Sequence, residues 1–282
     1  MNRLDPAKRV QVVTALVEGC SIRSTVRMTG VAKNTIVKLL VELGAACSDY
    51  LNTALVNLPA TRVQCDEIWS FVGAKDKNIP ARRKGEEGIG SAWTWVAIDA
   101  DSKLICSWLV GKRDPGCATQ FIQDLAGRLA NRVQLTTDGL RLYLTAVVDG
   151  FGSNIDYAML VKIYGNDPEA EKRYSPAVCT GCTKQTKVGD PDPAFISTSY
   201  IERQNLTMRM GMRRFTRLTN AFSKKIQNHA ASVALYAMHY NFVRIHQTLR
   251  ITPAMAAGIT GRLWSIHDII RLVERNEAER AA

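Results

Sequence analysis

Three acidic residues in three different settings carry the chemistry this sequence could do: Asp66 within Gln64-Cys65-Asp66-Glu67-Ile68-Trp69, Asp138 closing Leu135-Thr136-Thr137-Asp138, and Glu202 within Tyr200-Ile201-Glu202-Arg203-Gln204-Asn205. Carboxylates offer only hard oxygen donors. Brought together, these three would hold magnesium for displacement at a phosphate ester, which needs an activated oxygen nucleophile, charge stabilisation on the phosphoryl oxygens and help for the leaving oxygen. Two ions, with manganese an acceptable substitute, meet all three needs when carboxylates flank the scissile phosphate. Asp66 suits the bridging position if a rigid strand presents it; Asp138 would then bind one ion and Glu202 the other. Singly, each acid has a plain structural reading: a strand-end surface acid, a turn former with Gly139, and a helix N-terminal acid favoured by the dipole. Only joint placement separates the two readings. Glu67 alternates to the opposite strand face from Asp66 and is expected outside the site. Asn205 and Arg209 follow Glu202 on the same helical face, where they could orient a carboxylate or touch phosphate.

That joint placement depends on the elements that carry the acids. Residues 62–72, 91–99 and 104–110 read as strands rich in β-branched and aromatic side chains, with a loop at 73–90 containing Arg82-Arg83-Lys84-Gly85. Asp114-Pro115-Gly116 opens a helix to 129, followed by a strand at 133–137, a helix at 140–148 and a strand at 157–164. Residues 165–197, rich in Pro, Gly, Lys and Asp, read as an irregular insertion. Helices resume near Thr198, with a long one at 223–245 and an amphipathic one at 269–280 opened by a capping box, Ser265-Ile266-His267-Asp268. Three strands, helix, strand, helix, strand, insertion, helix is the order of a ribonuclease H-like α/β fold: a mixed sheet with flanking helices. In that topology the first strand is central and the fourth lies beside it. Asp66, Asp138 and the helix bearing Glu202 would therefore converge.

Charge says what such a site would act on. The chain of 282 residues carries +11, and ten of those charges lie between Arg203 and His267, where there is no Asp or Glu at all. A solvated helical face mixes both signs, so this acid-free stretch points to a nucleic-acid backbone. Arg203, Asn205, Arg209, Arg213, Arg214, Arg217, Lys224 and Lys225 are its candidate DNA contacts. No uncharged apolar run reaches the length of a spanning helix, so membrane insertion is not expected. Seven scattered cysteines suit reduced thiols in the cytoplasm. A lone Cys179-Thr180-Gly181-Cys182, with no second pair nearby, does not make a zinc site.

The first 46 residues read as a small all-α helix-turn-helix domain: a helix from Asp5-Pro6 to Gly19, a second capped by Ser21, a turn at Thr29-Gly30-Val31, and a third from Ala32 ending at Gly44. Lys33, Asn34, Thr35 and Lys38 lie near the start and outer face of the third helix, where groove and phosphate contacts would fall. Residues 47–61 read as a linker, 62–250 as the ribonuclease H-like domain and 251–282 as a C-terminal helical segment whose role, packing or dimerisation, stays open.

The Asp-Glu-x-Trp strand followed by Phe71-Val72-Gly73-Ala74-Lys75, the Thr-Asp-Gly turn, and Ile-Glu-Arg-Gln-Asn-Leu-Thr-x-Arg followed by Arg-Leu-Thr-x-x-Phe-Ser-Lys resemble the DDE transposases of the insertion sequence one family. The Thr-Gly-Val-x-x-Asn-Thr-Ile turn is similar too, so the likeness spans about residues 10 to 250. The resemblance implies double-stranded DNA as partner, both transposon ends and target: binding of terminal inverted repeats, cleavage to free a 3′ hydroxyl, and attack of that hydroxyl on target DNA. It also implies a homo-oligomer on paired ends and a nucleoid-associated protein of a bacterium or archaeon. Two features depart from the family pattern: no cysteine zinc ribbon stands before the helix-turn-helix, and the segment between Asp138 and Glu202 is longer than in compact members. A DNA-binding regulator without catalysis and a simple magnesium-dependent nuclease are the competing readings.

Overall fold

The structure, a computed structural model, describes residues 4–165, 179–216 and 220–279. Helix α1 (Pro6–Val17) begins where the Asp5 carboxylate accepts the Lys8 amide, and α2 (Ile22–Thr29) where Ser21 accepts the Ser24 amide. Gly30, at φ 70°, ends α2 in the left-handed region that glycine tolerates best. Helix α3 (Lys33–Ala54) does not stop at Gly44 as expected but continues through it. The reason is tertiary: Gly44 packs directly on Ala231, and Leu43, Cys47 and Leu51 bury around that contact. Burial of these side chains outweighs the roughly 1 kcal/mol helix penalty of a glycine. Leu55 and Leu58, in the stretch read as a linker, are buried as well.

Six strands form one mixed sheet in the order β3-β2-β1-β4-β5-β6: β1 (Arg62–Val72), β2 (Gly90–Asp99), β3 (Ile105–Gly111), β4 (Gln134–Thr137), β5 (Asp156–Tyr164) and β6 (Cys179–Val188). The first three pair antiparallel, β1–β4 and β4–β5 parallel, and β6 returns antiparallel on β5. As expected from the sequence, the sheet is mixed, with β1 in its interior and β4 running beside it. β6 corrects the irregular insertion over 179–188. Its Thr and Lys residues give no apolar alternation because the strand is an edge exposed on both faces, where polar side chains and lysines discourage further pairing. Cys179 and Cys182 are exposed on it, and residues 166–178 of the insertion lie outside the described residues.

Helices α4 (Pro115–Arg128) and α5 (Leu142–Phe151) pack together on one side of the sheet. On the other lie α6 (Ser199–Gly211) and α7 (Ile226–Phe242), with α3 laid along α7. After the short α8 (Pro253–Ala256), α9 (Ile266–Glu279) starts at the expected box, in which the Asp268 carboxylate accepts the Ser265 amide at 2.8 Å. It buries Ile269, Ile270, Leu272 and Val273 against α3 and α1, which settles its packing on the core. Among the described residues no helix is long and apolar enough to cross a membrane.

One buried polar link ties the helical layer to the central strand. His229 of α7 is fully buried between Ser70 of β1 (3.1 Å) and Ser223, and burial, aided by Arg214, pushes its pKa down to about 3. A depressed histidine favours unfolding once the unfolded chain binds the proton, so its contribution is intact above about pH 6.5 and is lost progressively down to about pH 3. Relative to His229→Gln, the native chain should lose about 3 kcal/mol more between pH 7 and pH 4.5 in urea denaturation. Equal losses in the two proteins would refute a neutral buried His229.

Candidate active site

Alternate residues of β1 face α6 and α7, and they fix how α6 crosses the sheet. Gln64 Oε1 accepts the backbone amides of Tyr200 (2.9 Å) and Ile201 (3.1 Å), pinning the first turn of α6 to the strand. Two residues along, Asp66 points to the same side, and Asn205 Nδ2 donates to its Oδ2 at 2.8 Å. Its other oxygen accepts the Glu67 amide at 2.8 Å. Asp138 follows the last residue of β4 and caps a turn by accepting the Leu140 amide at 2.9 Å.

Asp66, Glu67 and Asp138 each present an oxygen within 4.8 Å of the others, the one carboxylate group of this kind among the described residues. Glu67 was expected to be excluded by strand alternation, and this corrects it. The β1–β4 ladder ends at Cys65↔Thr137, so beyond it no strand fills the space beside β1. Alternation separates side chains only across a continuous sheet; at the end of β4 the two faces meet around Asp138. Glu67 itself is buried and held by Arg113 (Nε 2.8 Å, Nη2 2.6 Å) and by the Tyr143 hydroxyl at 3.2 Å. Arg113 in turn lies 4.7 Å over the Trp93 ring.

Glu202 lies on α6 with its carboxylate turned to Lys162 Nζ and the Thr198 hydroxyl, each at 2.5 Å. It is not one of the three clustered oxygens, although its charge is felt at Asp138. The structure therefore brings Asp66 and Asp138 together and keeps Glu202 at their margin.

The electrostatics are those of three crowded acids of which only Glu67 is paired with a cation, Arg113. Burial first, then Glu67 and Asp138, push Asp66 up to about 7, against the opposing bonds from the Glu67 amide and Asn205. Asp138 is raised by burial, opposed by the Leu140 amide, Arg113 and Lys162. Glu67 is raised by burial and Asp138, opposed by Arg113 and Tyr143. Beside them, Asn205 Oδ1 is buried with no partner. An all-oxygen donor set, mutual repulsion and an orphaned acceptor are what a hard divalent cation would satisfy, so these residues fit one.

Of the expected DNA contacts, Arg203, Arg213, Lys224 and Lys225 are exposed and Arg209 is half-buried on α6. Asn34 and Thr35 are exposed on the first turn of α3, and Lys38 pairs with Glu42 at 3.7 Å. Lys33 shares a cavity with Arg213, Arg214 and Lys224. Arg217 lies outside the described residues. Arg113, Tyr143 and Lys162 were not singled out from the sequence: a loop cation, a helix aromatic and a strand lysine carry no local mark of the site they face.

No protein-family model matches the chain, and no curated protein matches it. Among solved structures, the chain is similar to one described as a piggyBac transposase synaptic complex with hairpin DNA, with 10% identity and a TM-score of 0.41 over 96% of this chain and 71% of that one.

Proposed function

We propose that this chain is a DDE transposase, which binds the terminal inverted repeats of a transposon, cleaves its ends and joins the 3′ hydroxyl to target DNA. The observation that carries the reading is the meeting of Asp66 and Asp138 with Glu67, next to the orphaned oxygen of Asn205 on α6, the helix in which the acid-free basic segment begins. Asp66 and Asp138 would hold a divalent cation, with Glu202 or Glu67 completing the set. Bound magnesium would polarise the phosphoryl oxygens and lower the pKa of the attacking hydroxyl.

The chain's own residues do the positioning. Asn205 fixes the Asp66 carboxylate from α6, so the helix and the strand cannot shift independently. Arg113 offsets the charge of Glu67 and opposes the upward shift of Asp138, favouring the ionised acids against the effect of burial. The helical unit α1–α3, with Lys33, Asn34, Thr35 and Lys38 toward its outer surface, serves as the helix-turn-helix that recognises the ends. Arg203, Arg209, Arg213, Arg214, Arg217, Lys224 and Lys225 contact DNA backbone beside the cut site, and a homo-oligomer pairs the two ends.

The test is incubation of the full chain with magnesium and a duplex carrying the inverted repeats that flank its gene. Cleavage followed by joining to a second duplex supports transposition. Hydrolysis without joining leaves a nuclease, and specific binding without cleavage leaves a regulator.

Lys162 bears on how Glu202 enters the site. If Glu202 turns to a cation it must leave Lys162, so Lys162→Met should tighten magnesium binding severalfold, measured by calorimetry on the DNA-free protein. Unchanged affinity would exclude Glu202 as a ligand competed for by Lys162.

A further inference from the structure

A cavity of about 820 Å3 opens between the turn joining α1 to α2, the first turns of α3, and the two segments 211–214 and 220–224. It brings together basic side chains that are far apart in sequence: Arg23 and Lys33 from the N-terminal helices, Arg213, Arg214 and Lys224 from the acid-free stretch. No Asp or Glu lines it, and among the described residues none of the five makes an ion pair. Arg214 is only partly exposed, and its Nη1 donates to the buried Ser223 hydroxyl. Burial depresses its pKa to about 10, the mark of a cation held without a counter-charge.

Clustered cations with no acid among them repel one another, and an anionic ligand relieves that cost. The rest of the lining mixes serine and asparagine side chains with an apolar patch that includes Val37 and Leu40 from α3 and Phe222, whose ring lies 4.8 Å from that of Phe71 at a 34° tilt. A bare phosphate would leave this floor and most of the volume unused. A nucleotide matches both parts, since every base has a π-face for an apolar or aromatic wall and every phosphate a charge for the rim.

We propose that this cavity holds one nucleotide unit of a DNA strand, its phosphate on Arg23, Lys33, Arg213, Arg214 and Lys224 and its base against the floor around Val37 and Phe222. The assignment deepens the proposed function and rests on it only in naming DNA as the source. It also joins two basic sets, one N-terminal and one following Glu202, into a single site.

The test is calorimetric titration of the full chain, without magnesium, with a trideoxynucleotide, the same trimer with abasic sugars, deoxyadenosine monophosphate and inorganic phosphate. The trimer should bind native protein and Asp66→Asn alike, and bind Val37→Trp, which fills the floor, and Lys33→Gln, which removes one exposed rim charge, about tenfold or more weakly. The abasic trimer should bind native protein about tenfold less tightly. Unchanged trimer affinity in Lys33→Gln, or in a Val37→Trp protein whose melting temperature is native, overturns the site. So does equal affinity for the abasic trimer, and equal affinity for the monophosphate or phosphate overturns a strand as the occupant. Loss of DNA cleavage with trimer binding retained would count against the proposed function alone; cleavage with cavity variants that bind the trimer normally would count against the cavity alone.

Discussion

Asp66→Asn is expected to reduce magnesium-dependent DNA cleavage at least about 1,000-fold, roughly 4 kcal/mol of transition-state stabilisation, while making the metal-free protein more stable at neutral pH. Both effects come from one carboxylate. Asp66 is the acid that Asn205 orients and that Glu67 and Asp138 crowd, and its pKa stands at about 7 against an ordinary 3.8. A raised carboxylate binds a proton more readily in the folded state than in the unfolded one. Metal-free stability on this account therefore falls as pH rises from near 4 through about 7, and the full penalty is present above that. Asparagine is uncharged and nearly isosteric. The Glu67 amide still has its acceptor, and a flip of the Asn205 side chain would offer its unpartnered Oδ1 to the new amide. The gain at pH 8 should be roughly 2–4 kcal/mol in denaturant titrations with chelator present. Magnesium should then raise the melting temperature of the native protein and not that of the variant. Native-level cleavage by the variant would remove Asp66 from the chemistry, and an unchanged or lower stability would show that the acids do not strain the fold. His229 has the opposite pH slope in an overlapping window, so each effect is read as a difference between native protein and its variant, not from one pH curve.

Gly44→Val should cost at least about 3 kcal/mol, enough to detach the N-terminal helices from the body or unfold the chain. A Cβ at Gly44 would overlap Ala231 Cα and Cβ and press on its carbonyl oxygen at 2.9 Å. Backbone atoms in the middle of two helices cannot move aside as a flexible side-chain end can, so α3 and α7 would have to separate along their length. Gly127→Ala is the contrast, a helical glycine with nothing near its missing Cβ; it should stabilise by about 0.5–1 kcal/mol. If both variants melt within a degree of native protein, the close approach of α3 to α7 is wrong. The result bears on function because this contact sets where Lys33 stands relative to Arg213, and hence whether the basic cavity exists at all.

Much of this could be read from the residues. Alternation of apolar and β-branched side chains marked β1 to β5, and the caps at Asp5, Ser21, Asp114 and Ser265 marked helix starts, because these signals act within a few residues. The order of those elements then implied that Asp66 and Asp138 would be neighbours. What failed did so where a distant partner decides. Gly44 reads as a helix stop until Ala231 is seen against it. β6 has no apolar face because both of its faces are left largely exposed in the fold. Glu67 looks excluded by alternation until the β4 ladder proves to end two residues before it, at Cys65. Glu202, read as the third ligand, is a separate case: in the fold its carboxylate pairs with Lys162, forty positions earlier, a contact that no spacing announces. By itself the sequence determined which acids, cations and periodicities were available, since those are properties of residue type and spacing. Only the tertiary structure decided which oxygens share one space, which glycine is a contact and not a stop, and which cations from opposite ends of the chain line one cavity, because each depends on distances set by packing between elements.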